Sequence, residues 1–103
     1  TEEIDREQLA QWCSIRGLTA LDEIALRTPV QVGGEVRSIR IVPRAGADAL
    51  EATITDGHGV LTAVFLGRRK ILGISPGRRV LLEGVVTKDG PTKVMYNPLY
   101  EFA

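Results

Sequence analysis

At 103 residues, 44% hydrophobic and 25% charged, the chain has material for one globular domain and is too apolar to stay disordered. One cysteine, Cys13, and one histidine, His58, exclude an internal disulfide and a Cys/His metal centre, and no apolar run approaches the ~20 residues of a membrane helix. The zero net charge divides into −3 over residues 1–27 (three Arg, six Asp/Glu) and +3 over 28–103 (ten Lys/Arg, seven Asp/Glu), which permits a polyanionic partner but argues against tight non-specific binding.

The head of the chain predicts a helix over about 6–16. Asp5 is a suitable N-cap with Gln8 three residues on, and Ile4 and Leu9 take the positions of a hydrophobic staple. Leu9, Trp12 and Cys13 recur at i, i+3, i+4 and define one apolar face, so Trp12 should be buried against the rest of the domain. Gly17 supplies a left-handed stop, and Leu18 is set to fold back on the last turn. Residues 1–28 therefore form a helix and connector, and 29–103 the main body, within one domain.

From residue 29 the periodicity changes from helical to alternating. Strands are expected near 30–42, 50–56, 60–66, 79–88 and 92–97. Gly33-Gly34, in the middle of the first, mark a bulge or bend. Residues 43–48 read as a loop, Asp56-Gly57-His58-Gly59 as a tight hairpin, and Asp89-Gly90 as a second one. The third strand, Val60 to Leu66, is apolar on both faces except at Thr62. Arg68 to Gly73 is expected to make one or two helical turns before Pro76-Gly77. Pro98 ends the last strand ahead of Leu99-Tyr100-Glu101-Phe102.

Helix, three strands, short helix and two strands, with a glycine-kinked first strand, predict an all-β fold: a five-stranded Greek-key OB-fold barrel with an N-terminal helix and a short helix between strands 3 and 4. A five-stranded SH3-like barrel would carry no helix after its third strand. Three runs carry a family pattern: Val32-Gly33-Gly34-Glu35-Val36-Arg37-Ser38, Thr55-Asp56-Gly57-His58-Gly59, and Pro76-Gly77 followed by Glu83-Gly84-Val85-Val86. In that order they resemble the nucleic-acid-binding OB superfamily, which includes the anticodon-binding domains of aminoacyl-tRNA synthetases and the wedge domain of RecG-type helicases. Met95 to Tyr100 is similar to the end of that wedge domain. Phe65 to Ile74 resembles small stand-alone OB proteins of actinobacteria. The likeness covers about 30–102 and implies the fold more than the ligand, because OB barrels bind nucleic acids, sugars and proteins on one scaffold.

Catalysis fails on inventory. No Ser/His/Asp or Cys/His pair has a catalytic context, no phosphate-cradling G-x-x-x-x-G-K is present, and His58 sits at a hairpin tip. The chain is read as a non-enzyme with no cofactor, working in the cytoplasm. In OB barrels the ligand crosses the outer face of strands 2 and 3, flanked by the 1–2 and 4–5 loops. On that map Arg37, Arg40 and Arg44 lie along the late first strand, Thr53, Thr55 and Thr62 (with Val64) form a floor, and Lys88 and Lys93 flank the 4–5 loop. Weak binding of single-stranded DNA or RNA is expected, since few rings (Phe65, Tyr96, Tyr100, Phe102) are on hand to stack bases and Phe65 reads as core. Arg68-Arg69-Lys70 has two readings, phosphate contact near a helix N-terminus or, favoured, solvated charge on a short surface helix, and Arg78-Arg79 reads as a solvated turn. The alternative is a protein-interaction module, drawing on the doubly apolar third strand, the acidic head and the zero net charge.

Overall fold

A computed structural model describes the backbone from Glu2 to Ala103 and the side chains from Arg6 onward. It contains α1 (Glu2–Ile15), β1 (Pro29–Arg44), β2 (Ala47–Thr55), β3 (Val60–Leu66), β4 (Arg79–Asp89), β5 (Thr92–Tyr96) and β6 (Leu99–Phe102). The five expected strands are present with small shifts at their ends. No described helix is long and apolar enough to cross a membrane.

α1 starts earlier than expected, so Asp5 lies inside it and is not its N-cap; the side chains of Ile4 and Asp5 fall outside the described ones. Its end is as read. Gly17 takes φ 70°, the Gly17 N–H donates to Ser14 O (3.0 Å) and the Leu18 N–H to Cys13 O (3.2 Å), the paired bonds of a Schellman cap. Leu9 and Cys13 are buried, but Trp12 is only half-buried, which corrects the expectation for that ring. Burial pushes the Cys13 thiol up to about 11, so it stays protonated at neutral pH and points at Gly33 O (3.6 Å). In the connector, Leu21 and Ile24 drop into the main apolar cluster.

β1 pairs antiparallel with β4 over Pro29–Glu35 and then with β2 over Glu35–Arg44. β2 pairs antiparallel with β3, β3 parallel with β5, and β5 antiparallel with β4, so five strands pair in a closed ring. The inward residues (Val32, Val36, Leu50, Ile54, Leu61 and Met95 among them) are essentially buried and form the interior cluster. Each such side chain contributes roughly 1.5–3 kcal/mol of burial.

The register shift in β1 lies between Val36 and Ser38, beyond the glycine pair named from sequence. Gly34 instead permits a close approach of strands. A Cβ there would strike the backbone carbonyl of Thr55, so only glycine lets β2 cross this near. The β1–β2 connection is shorter than the expected loop. Ala45 (φ 52°) and Gly46 (φ 79°) make a two-residue turn with both residues left-handed, and Pro43, Arg44, Ala47 and Asp48 all belong to the strands.

The expected short helix over 68–73 does not form, and α1 is the one helix among the described residues. The segment instead makes i→i−3 turns, with Arg68 N–H to Phe65 O (3.4 Å) and Ile74 N–H to Ile71 O (3.1 Å). Gly73 takes φ 94°, and the Phe102 ring fills the space a side chain there would need. So short a stretch gains too little from helix propagation to outweigh burial of Ile71 and docking of Phe102. The tail after Pro98 carries no strand signal in the sequence, yet it forms β6 on β4, with Tyr100 edge-on to Phe65 (5.6 Å) and to Phe102 (5.8 Å).

Candidate functional site

The outer face of the ring is set by strand register. Arg40 on β1 faces Glu51 on β2, which faces Val64 on β3, which faces Tyr96 on β5. The neighbouring row is Ser38, Thr53, Thr62 and Val94. Ala49, Val64 and Val94 on this face form a second small buried cluster, and Thr62 is only 9% exposed, so the threonine floor is partly closed to solvent.

Glu51 sits at the centre of the face and is 3% exposed. Arg40 donates to its Oε1 through Nε (3.1 Å) and Nη2 (3.0 Å), and Arg44 donates to its Oε2 through Nε. The hydrogen bond to Glu51 raises the Arg44 pKa, holding it charged. Arg44 Nη1 also reaches Asp89 Oδ2 (3.2 Å) and the Tyr96 hydroxyl (3.0 Å), and its Cζ stands 5.7 Å from the Tyr96 ring centroid. One arginine thereby ties the end of β1 to the end of β4. The β1–β2 turn and the β4–β5 hairpin come together on this face, with Tyr96, 41% exposed, beside them.

The remaining sequence-derived residues divide. Arg37 is exposed and pairs with Glu35 (3.5 Å). Thr55 lies at the far end of β2, where its hydroxyl donates to Gly59 O (2.9 Å) and accepts from the Gly57 N–H (3.2 Å), closing the hairpin. Lys88 and Lys93 face each other across β4 and β5. Alternation sets them on the side of Val86 and Met95, away from the arginines, and Lys93 Nζ donates to Leu21 O (2.9 Å). The structure thus gathers Arg40, Arg44, Thr53 and Thr62, and separates Lys88, Lys93 and Thr55 from them. Sequence reasoning misses Glu51 and Asp89, and names Tyr96 only as one of the few rings on hand. A signal for Glu51 exists, because a two-residue turn at Ala45-Gly46 fixes the register that sets Arg40 opposite it.

The turn that carries His58 is held by Asp56. Asp56, 1% exposed, accepts the His58 and Gly59 N–H groups through Oδ1 (both 2.9 Å) and the Leu21 N–H through Oδ2 (2.8 Å), locking the hairpin to the connector. No group of three or more His, Cys, Asp or Glu side chains among the described residues could hold a metal ion.

A second set of cations lies by the helix. Arg16, just past α1, stands with its Cζ 4.9 Å from the Trp12 ring centroid, and Arg79 of β4 stands 5.2 Å from it. Arg78 lies over Phe102 at 4.5 Å. Among the described residues none of these three arginines is in an ion pair. Alongside, a groove of about 460 Å³ runs between Leu18, Leu81 and Leu99, with Glu83 and Glu101 on its walls. No protein-family model matches the chain, and no curated protein is significantly similar to it.

Proposed function

We propose that this chain is a cytoplasmic, non-enzymatic OB-type module that binds single-stranded DNA or RNA weakly. The OB reading draws on a closed ring of five strands in which β1 is shared between β4 and β2 and β3 meets β5 in parallel. The observation that carries the ligand is the Arg44 bridge, from the β1–β2 side to Asp89 and Tyr96, since those two turns frame the binding face of OB barrels. Tyr96 offers one open ring for a base to stack on, and Arg40 and Arg37 offer N–H groups to phosphates. Binding stays weak because Glu51 already satisfies Arg40 and Arg44, and one ring supplies only ~1–3 kcal/mol of stacking.

Titrating a labelled oligonucleotide at low and at moderate salt tests this. Binding that falls with added salt is the expected result, and no binding at low salt rejects it. The neutralised arginines favour the competing reading, a protein contact through this face, and that contact would be nearly indifferent to salt.

A further inference from the structure

Arg16 and Arg79 flank one indole ring, each Cζ within 5.2 Å of its centroid, so the two like charges are at most about 10 Å apart. Among the described residues no carboxylate lies within ion-pairing distance of either. Glu35 is the cross-strand partner of Arg79, but its carboxylate reaches Arg37 instead. The field of both arginines extends to the Cys13 thiol, where it opposes the upward push of burial. A guanidinium held over a ring keeps its N–H edge for a second partner, and the ring limits the side-chain freedom lost when that partner arrives. Two such groups, neither in an ion pair among the described residues, make a site that an anion completes.

We propose that Arg16 and Arg79, held at the Trp12 ring, bind backbone phosphates of a single-stranded nucleic acid, a contact site outside the face framed by the two turns. It rests on the nucleic-acid reading above. β1 links the two regions: its outward residues run from Arg44 and Arg40 through Arg37 to Glu35, and Glu35 faces Arg79. A strand leaving the Tyr96 face along β1 arrives at the helix-side arginines, with Arg78 next in the chain. The groove that Arg16 also lines is not its path: Glu83 and Glu101 on the walls repel phosphate, so the strand meets Arg16 at the groove's Trp12 side.

Trp12 is the sole tryptophan, so it reports on this site alone. The experiment titrates the intact protein with a labelled deoxythymidine oligonucleotide of about a dozen nucleotides, following label anisotropy and Trp12 emission together. In the wild type both signals should change with one midpoint. Arg16→Gln, an exposed substitution, should weaken binding several-fold for every base sequence and flatten the log–log salt dependence by about 0.7. Arg79→Lys keeps the charge but loses the planar fork, and should fall between wild type and Arg16→Gln. Far-UV circular dichroism checks that each variant is folded. Binding by anisotropy with unchanged Trp12 emission, or folded variants that bind like wild type, overturns this site and leaves the general reading standing. A wild type that does not bind at low salt removes both.

Discussion

The arginines of the β1–β2 face and those beside Trp12 share a side chain and differ in circumstance. Arg40 and Arg44 converge on one buried carboxylate, and Arg44 is further tied to Asp89 and Tyr96. Arg16 and Arg79 have an aromatic ring and no ion pair among the described residues. The first pair serves the fold by joining β1, β2 and β4, and presents little net charge. The second rests against the Trp12 ring with no ion pair among the described residues. A count of cations along a strand therefore says little about a polyanion site until the carboxylates opposite them are placed.

The strongest way to break the comparison is at the joint between the two regions. Gly34 lies where β1 passes from β4 to β2, and Gly34→Val drives a side chain into the Thr55 backbone. It should cost about 3 kcal/mol in chemical denaturation through strain and overpacking. A variant unfolding at the wild-type midpoint would show that the two strands do not meet so closely.

Glu51→Gln sharpens it. The buried centre of the face loses its charge, but Arg40 is 73% exposed and can turn to solvent, so the stability loss should be about 2 kcal/mol and not the full penalty of a buried ion pair. The same change removes the negative charge that offsets Arg40 and Arg44, and oligonucleotide affinity should rise several-fold with a steeper salt dependence. Unchanged affinity would mean that the face is not a nucleic-acid surface.

On the helix side, Trp12→Ala should cost about 1–2 kcal/mol, less than the ~3–5 of a fully buried ring, because Trp12 is half-buried under two arginines. A loss in the upper range would restore Trp12 to the core. The smallest effect is at the turn that sets the register: Ala45 holds φ 52°, so Ala45→Gly should stabilise by ~0.5 kcal/mol despite the added freedom of the unfolded chain. Destabilisation there would argue against the two-residue turn.

Much of the architecture is legible in the sequence because the alternation is clean. Leu50, Ala52 and Ile54 against Glu51, Thr53 and Thr55 fix both a strand and its inward face, and Gly17 with Leu18 fixes a helix end. Three features are not legible, each for a physical reason. Ala45-Gly46 lacks the Asn-Gly signature of its turn, so the sequence suggests a longer loop and hides the Arg40–Glu51 pairing. Arg68 to Gly73 has helical length but is governed by Ile71 and Phe102, the second distant in sequence. Leu99 to Phe102 is too short to declare itself a strand and forms only because β4 offers it an edge. At the site, Arg78-Arg79 reads as a solvated turn because nothing local links Arg79 to Trp12; the fold brings β4 and α1 together from distant parts of the chain.

The most direct test of the contrast is the salt dependence of oligonucleotide affinity for the wild type, Arg40→Gln/Arg44→Gln and Arg16→Gln/Arg79→Gln, measured side by side. The helix-side pair of substitutions should flatten the log–log slope by about 1.4, or roughly 0.7 per lost phosphate contact, and the face pair by only about 0.7, because Arg40 alone of that pair reaches a phosphate while Arg44 is held by Glu51, Asp89 and Tyr96. A slope that collapses with the face substitutions and survives the helix-side ones would contradict the division between the two arginine pairs.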